Sequence, residues 1–254
     1  MQLGASVQGV YNKGLLYSWF SAMHTRVDIL LYGKPEEELR HIVAIIFDTL
    51  HELEMTTNFF EPSSELGQLN QTAYLKPIVV SSELFRMISI CQIYHEKTEG
   101  LFDITIHSVP YDSETFQSLI LDEFNSTIYF AKQGLRLDLS GFVKGYALDK
   151  TKKILQNYSI NNALINIGNS SIMALGNHPN GEGWKVTVAA TGKEYLLINE
   201  CLTTSGNDAP GRKHIIDPRT GEYIEGQGMV SVITSTGAEG EVLATTLFVQ
   251  NTVS

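Results

Sequence analysis

The segment LRLDLSGFVKGYALDKTKKIL, residues 135–155, constrains the fold most, because its hydrophobic period changes halfway along. Leu135, Leu137 and Leu139 alternate as in a strand, whereas Val143, Ala147 and the Ile154–Leu155 pair suit a helix, with Ser140 and Gly141 at the turn. A strand feeding straight into a helix points to sheets and helices packed on one another. The alternation puts Arg136 and Asp138 on the face opposite the leucines, with Asp138 at the strand end. The turn then exposes backbone N–H groups at a helix N-terminus, Gly145 permits close approach and Lys144 adds a charge. Together these suit a pyrophosphate. An ordinary strand-to-helix turn with a solvated lysine would leave the same trace.

The rest of the chain supplies the elements that such a fold needs. Thr25 to Leu31 is strand-rich, and Glu36 to Glu54 carries Leu39, Ile42, Ile46, Leu50 and Leu53 at helical spacing. A second helix is predicted after Ser81 and Ser82, with Leu84, Met87, Ile88, Cys91 and Tyr94 on one face and an end near Glu99 and Gly100. Strands are expected at Ala163 to Ile167, Trp184 to Ala189 and Met229 to Thr234, with turns at Asn180 to Gly183 and Pro218 to Gly221. A final helix runs from about Gly240 to Val249. No repeat, low-complexity run or long linker interrupts this order. The expectation is a single α+β domain over residues 1–254, built from two interleaved lobes that share one cleft.

With 254 residues, 43% of them hydrophobic, the chain can bury one large core or two smaller ones. Eighteen Lys and Arg against 28 Asp and Glu give a net charge of -10, which argues against nucleic-acid binding because a phosphate backbone needs a basic footprint. An anionic ligand would need local neutralisation, by a metal or a few lysines. The two cysteines, Cys91 and Cys201, form no metal motif and read as buried free thiols. No run approaches the roughly 18 apolar residues of a membrane span, and the first twenty residues lack a basic start followed by an apolar core. The expectation is a soluble chain whose export signal is either missing or was removed.

Three further segments carry residues fit for chemistry. In GEVLATTLF, Glu241 and Thr245 are four apart and share one helical face, so both offer hard oxygen ligands for an ion such as Mg²⁺. A glutamate complementing the helix dipole and a threonine bonded to its own backbone would give the same pattern. In SGNDAPGRKHIIDPRTGEY, His214 precedes an apolar pair and a DPRTG turn. It is placed either as a general base near neutral pH or as a turn-stabilising side chain. Asp217 reads as setting the turn. In TEGLFDIT, Asp103 stands between Phe102 and Ile104, facing a ligand or capping backbone. Met23 and Phe60 read as core, or as apolar surfaces for a flat heteroaromatic ring.

Taken in order, these segments resemble the ApbE family of FAD-dependent FMN transferases over nearly the whole chain. AMHTRVDIL is similar to the family's opening "aMGT", NFFEPSSELGQLN to "YDPdSELsrLN", and TEGLFDIT to "tGaFDpT". LDLSGFVKGYALD resembles "lDLGaiaKGyavD" and INIGNSSIMALG resembles "vNiGGdiyalG". SGNDAPGRKHIIDPRTG is similar to "SGdyery...HiiDPrTG", and GEVLATTLF to "aDalaTalF". Departures are specific: Phe60 stands where tyrosine is usual, His24 for the glycine of "MGT", Asn169 for the second glycine of "GGd", Asn207 for aspartate and Glu241 for aspartate. The stretch between FDIT and LRLDLSG is shorter than the family's.

The resemblance implies an ApbE-like fold, with mixed sheets flanked by helices and two lobes around a flavin cleft. It implies FAD contacts from Met23, Phe60, Leu101, Phe102, Asp103, Asp138, Lys144 and Ile216. It implies Mg²⁺ held by the Gly141 carbonyl, Glu241 and Thr245. The implied reaction moves FMN from FAD to a threonine of an acceptor protein and releases AMP, with His214 as base. The implied acceptor is a subunit of a membrane redox complex, and the implied compartment is the periplasmic side of the bacterial envelope, with the cytoplasm as alternative. FAD binding without transfer, and metal-dependent FAD hydrolysis, are the competing readings.

Overall fold

The computed structural model describes residues 7–189, 191–207 and 213–251. The chain opens with strands β1 (Gln8–Asn12), β2 (Leu15–Ala22) and β3 (Thr25–Tyr32), followed by helix α1 (Glu36–Thr57). Helix α2 (Glu65–Thr72), strand β4 (Ile78–Val79) and helix α3 (Ser82–Lys97) come next. A 3-10 turn (Thr115–Ser118) leads into the hairpin of β5 (Leu119–Asp122) and β6 (Thr127–Phe130). After α4 (Val143–Asn157) the strands are β7 (Asn162–Ile167), β8 (Ser171–Leu175), β9 (Trp184–Val188), β10 (Lys193–Leu197) and β11 (Cys201–Asn207). The short pair β12 (Ile216–Asp217) and β13 (Glu222–Tyr223) precedes β14 (Gly228–Thr234) and helix α5 (Gly237–Asn251). The α+β class expected from the sequence holds.

Two compact units share these elements. The first comprises Met1–Glu54, Lys144–Ser205 and Met229–Ala244; the second comprises Met55–Val143, Gly206–Gly228 and Thr245–Ser254.

The first unit is built on a seven-stranded sheet in the order β1-β2-β3-β7-β8-β11-β14, whose β11 and β14 run past the unit's boundary at one end each. Alternation in the sequence gives β2 and β3 one buried face: Leu16, Phe20, Val27, Ile29 and Leu31 are almost fully enclosed. Helix α1 packs there, with Phe47 edge-on to Phe20 at 5.1 Å between ring centroids. All five residues of β8 are buried, so both its faces are covered. On one side lies a cluster of Ile172, Ala174, Trp184, Val186, Val188, Leu197 and Leu202. The β9–β10 hairpin supplies its centre, and Trp184 Nε1 is satisfied by the Leu175 carbonyl at 2.8 Å.

Helices α4 and α5 meet through glycine. A side chain on Gly145 would lie 2.1 Å from the Gly237 carbonyl oxygen, so only hydrogen fits at that crossing. Asp149 on α4 accepts from the N–H groups of Gly237 at 2.7 Å and Ala238 at 3.0 Å, capping α5 together with Thr236, whose Oγ1 accepts the Glu239 N–H at 3.4 Å. Burial pushes the Asp149 carboxyl above its usual range, with those two backbone bonds opposing.

The second unit packs α2, α3 and the small sheet β4-β6-β5 around Leu66, Leu69, Met87, Ile128, Phe130 and Phe142. Ser64 caps α2 by accepting from Gly67 N at 2.9 Å, and Ser81 caps α3 by accepting from Leu84 N at 3.2 Å. Both cysteines are free and buried, as expected. Burial raises the Cys91 thiol well above its ordinary value and, with Asp149 nearby, pushes Cys201 up to about 12.

One expectation needs correction. Residues 135–139 keep the strand-like alternation, with Leu135, Leu137 and Leu139 buried, yet they join no sheet. Their backbone is satisfied elsewhere. The Asn70 amide both donates to the Leu137 carbonyl at 2.9 Å and accepts from its N–H at 2.8 Å. Ser108 Oγ takes the Arg136 N–H at 3.0 Å, and the Ile104 carbonyl takes that of Asp138 at 2.8 Å. Alternation reports which side is buried, not what the backbone bonds to.

Candidate functional site

The expected site residues fall into two groups, one in each unit. In the first unit, Lys144 follows the first residue of α4 and Glu241 lies in the second turn of α5. Lys144 Nζ donates to Ser170 Oγ at 2.6 Å and stands 3.7 Å from Glu241 Oε2. Ser171 Oγ donates to Glu241 Oε1. The lysine is thus engaged inside the protein and is not an extended, solvated side chain. Glu241 is only 3% exposed, and desolvation raises its carboxyl, opposed by Lys144 and the Ser171 bond. Thr203 Oγ1 is buried without a partner among the described residues.

Thr245 is half-buried one turn along α5 from Glu241, as their spacing requires, and belongs by contact to the second unit, as does Gly141. Among the described residues no three His, Cys, Asp or Glu side chains gather in a metal-binding group. The set assigned by resemblance asks for only one carboxylate. Its chemistry fits a hard dication: a desolvated carboxylate whose lysine stands beyond hydrogen-bond length gains from a cation, and the other donors are a hydroxyl and a carbonyl.

Met23 and His24 form the two-residue turn between β2 and β3, both with positive φ, 51° and 57°. Such hairpin turns favour Asn and Gly, so a Met-His pair is strained by about 1–3 kcal/mol per residue. Glu54 offsets part of this by accepting the Met23 N–H at 2.9 Å.

In the second unit Asp138 is nearly buried and engaged at both carboxylate oxygens. Its side chain is 7% exposed; Oδ1 accepts from Ser140 N at 2.8 Å, and Oδ2 lies 3.3 Å from His107 Nε2. His107 packs against Phe59 at 5.5 Å, and the Arg136 guanidinium sits 4.9 Å over the same Phe59 ring. Phe60, 74% exposed, meets Phe59 edge-on at 5.2 Å. Its ring is an exposed apolar surface, not core.

The TEGLFDIT residues split. Phe102 is 5% exposed and packs toward Phe142, while Leu101 is half-buried. Asp103 Oδ1 caps Thr105, accepting from its N–H and hydroxyl at 2.6 Å each. Its Oδ2 lies 2.9 Å from the Tyr111 hydroxyl, which also reaches the Pro218 carbonyl at 3.2 Å. Desolvation and Asp103 raise the Tyr111 phenol, so it stays protonated and ties this loop to the DPRTG turn. Asp217 does set that turn, bidentate with Arg219 at 2.9 and 2.6 Å, and that pairing lowers its carboxyl. Ile216 is half-buried in β12, opposite Tyr223. His214 is exposed two residues before β12; residues 208–212 of its loop lie outside the described residues.

Ser170, Ser171, His107, Phe59 and Arg136 had no place among the expected site residues. The serines follow a Gly-Asn turn, where short polar residues are routine. His107 shows no spacing signal relative to Asp138, 31 positions away.

Fold and site together define an α+β protein with a buried lysine-carboxylate-hydroxyl cluster in one unit and an aromatic, histidine-bearing surface in the other. The ApbE family model matches residues 23–253, and the chain belongs to that family. It is similar to an FAD:protein FMN transferase of Chlamydia muridarum, 29% identical over 238 residues, which is 80% of this chain and 72% of that one. One from Klebsiella pneumoniae (strain 342) is 25% identical over 264 residues, 92% of this chain and 82% of that one. Among solved structures, an ApbE protein from Thermotoga maritima superposes with a TM-score of 0.80 at 21% identity, covering 98% of this chain and 87% of its own. The flavin transferase ApbE from Vibrio cholerae gives 0.77 at 22% identity, with 96% and 87% covered.

Proposed function

We propose that this chain transfers FMN from FAD to a threonine hydroxyl of an acceptor protein and releases AMP. The observation that carries the proposal is family membership across residues 23–253, together with relatives named for that reaction. In the step, the threonine oxygen forms a bond to the phosphorus of the FMN half. The bond from that phosphorus to the bridging oxygen breaks, and AMP departs with that oxygen. His214 takes the hydroxyl proton.

Phosphoryl-group transfer of this kind depends on positioning and charge neutralisation. Glu241, Thr245 and the Gly141 carbonyl are the residues that would hold Mg²⁺, which when bound neutralises charge on the pyrophosphate oxygens. Lys144 and Ser171 hold the Glu241 carboxylate in place for that role. Phe60 offers its exposed ring to the flat part of the ligand, and Met23, Leu101 and Ile216 border it, as the resemblance implies. Phe102 and Asp103 act from behind, by packing and by tying the loop to the DPRTG turn. The acceptor is a subunit of a membrane redox complex and the compartment is the periplasmic side of the envelope; both rest on the resemblance alone. No helix among the described residues is long and apolar enough to cross a membrane.

Incubation with FAD, Mg²⁺ and a peptide bearing the family's threonine acceptor motif, followed by mass measurement, tests the proposal. A mass gain of one FMN on the threonine with stoichiometric AMP is expected. AMP without peptide modification would assign FAD hydrolysis instead, and retained FAD without AMP would leave binding alone.

A further inference from the structure

Lys144, the cation that the sequence offers to a pyrophosphate, is engaged with Ser170 and Glu241. FAD carries negative charge on both phosphates, and the chain has a net charge of -10, so binding gains from a protein cation aimed at the ligand beside any bound metal. Asp138 cannot serve directly, because a carboxylate repels a phosphate. Both of its oxygens are engaged, one by Ser140 N–H and the other by His107. The Asp138 side chain is 7% exposed and that of His107 is 31% exposed. The imidazole is therefore the member of the pair that a ligand meets.

The pairing also fixes the chemistry of the ring. With Nε2 facing a carboxylate oxygen at 3.3 Å, Nδ1 is the atom that remains for a ligand. No group of the described residues bonds to it. Nδ1 accepts in the neutral ring and donates in the imidazolium. The charged groups placed around the ring are Asp138 and, on the far side of the Phe59 contact, Arg136. Asp103, on the same segment, is turned to Thr105 and Tyr111. Exposed Phe60 extends this surface with an apolar ring, so one side offers stacking and the other a charged donor.

We propose that His107 is a ligand-contacting residue of the FAD site: held by Asp138, it donates as an imidazolium from Nδ1 to a phosphate oxygen of the FAD pyrophosphate. Asp138 is then a positioning residue that acts through His107. This inference rests on the reading of the chain as FAD-binding.

Titrating the purified protein with FAD and with riboflavin, which has no phosphate, tests it across the pH 5–8 span where imidazoles change charge. The parent should bind FAD more tightly at the acid end and lose affinity as pH rises, while riboflavin binding stays level. His107→Ala and His107→Gln should each weaken FAD about tenfold at the acid end, as expected for loss of one charge-assisted bond, and leave riboflavin unchanged. The Gln variant, which keeps an N–H for Asp138, should show no pH step. Asp138→Asn should weaken FAD and leave riboflavin unchanged, because the ring loses the carboxylate that holds it. A pH-independent parent, or variants that weaken FAD and riboflavin alike, would overturn the inference and leave FAD binding standing. A parent that binds no FAD would remove the reading beneath it as well.

Discussion

Two carboxylates beside cations organise the two units, and they differ in what surrounds them. Glu241 is buried against a lysine and a serine hydroxyl, all provided by the first unit. Asp138, also nearly buried, is fronted by a half-exposed histidine on an aromatic surface of the second. A lysine holds its charge at every working pH, whereas a histidine changes charge within it. The first pair is therefore a fixed electrostatic element suited to supporting a metal ligand. The second is an adjustable one, suited to meeting an anion.

The sharpest way to break this comparison is Glu241→Ala. It removes the only carboxylate assigned to Mg²⁺ and should lower AMP release by about 10²–10³-fold, the scale seen when a key electrostatic stabiliser is lost. Chelation of the parent should give the same loss. Parental AMP release from the Ala variant would remove Glu241 from the chemistry and make its cluster purely structural. Glu241→Asp, which restores the family's residue, should retain activity.

Asn207→Asp should act on folding. Asn207 is 1% exposed and its amide donates to the carbonyls of Ile224 and Gly226 at 3.0 Å each. A carboxylate there would face two carbonyl oxygens with no donor among the described residues, at a cost of about 2–4 kcal/mol in unfolding free energy. Denaturant titration of the two proteins measures it. An unchanged midpoint would mean that the second unit tolerates buried charge as the first does.

Lys144→Met should sharpen the account of the first unit. Without its lysine, Glu241 keeps only the Ser171 bond, so the chelated protein should lose about 1–3 kcal/mol, less than for a fully buried pair because Lys144 is 25% exposed. Saturating Mg²⁺ should then raise Tm more in the variant than in the parent, since it replaces a missing charge. Equal shifts would show that lysine and metal act independently.

The smallest effect concerns acid. Burial raises Glu241 and Asp149 in the first unit, so their contribution to stability is present below the ordinary carboxylate range and is lost as pH rises through their higher folded values. In the second unit, hydrogen bonding from Arg219 lowers Asp217, and that from Lys132 lowers Asp112. Their contribution is present above the ordinary range and is lost as pH falls through the lowered values. Amide exchange should therefore show protection falling first in the second unit as pH drops below about 4. Simultaneous loss in both units would mean that these carboxylates do not set the acid response.

Much of the fold was legible because burial writes a period into sequence. Helix α1 was expected from Glu36 to Glu54 and runs Glu36–Thr57; α5 was expected from about Gly240 to Val249 and runs Gly237–Asn251. Helix α2 was not foreseen: in ELGQLNQT only Leu66 and Leu69 are large and apolar, too short a pattern to register. The N-terminal end of α5 escaped too, because its first N–H is taken by Asp149, 88 residues earlier.

The sequence by itself determined the family, the mixed class and the placing of Glu241 with Thr245 on one helical face, because each depends on local order or spacing. Only the tertiary structure decided that Lys144 is spent on Ser170 and Glu241, that Asp138 is fronted by His107, and that residues 135–139 bond to side chains and loops instead of a sheet. Those outcomes depend on which distant groups arrive beside a residue once the chain has closed. A charge or an N–H takes whichever partner lies within about 3 Å, and sequence separation carries no trace of that distance.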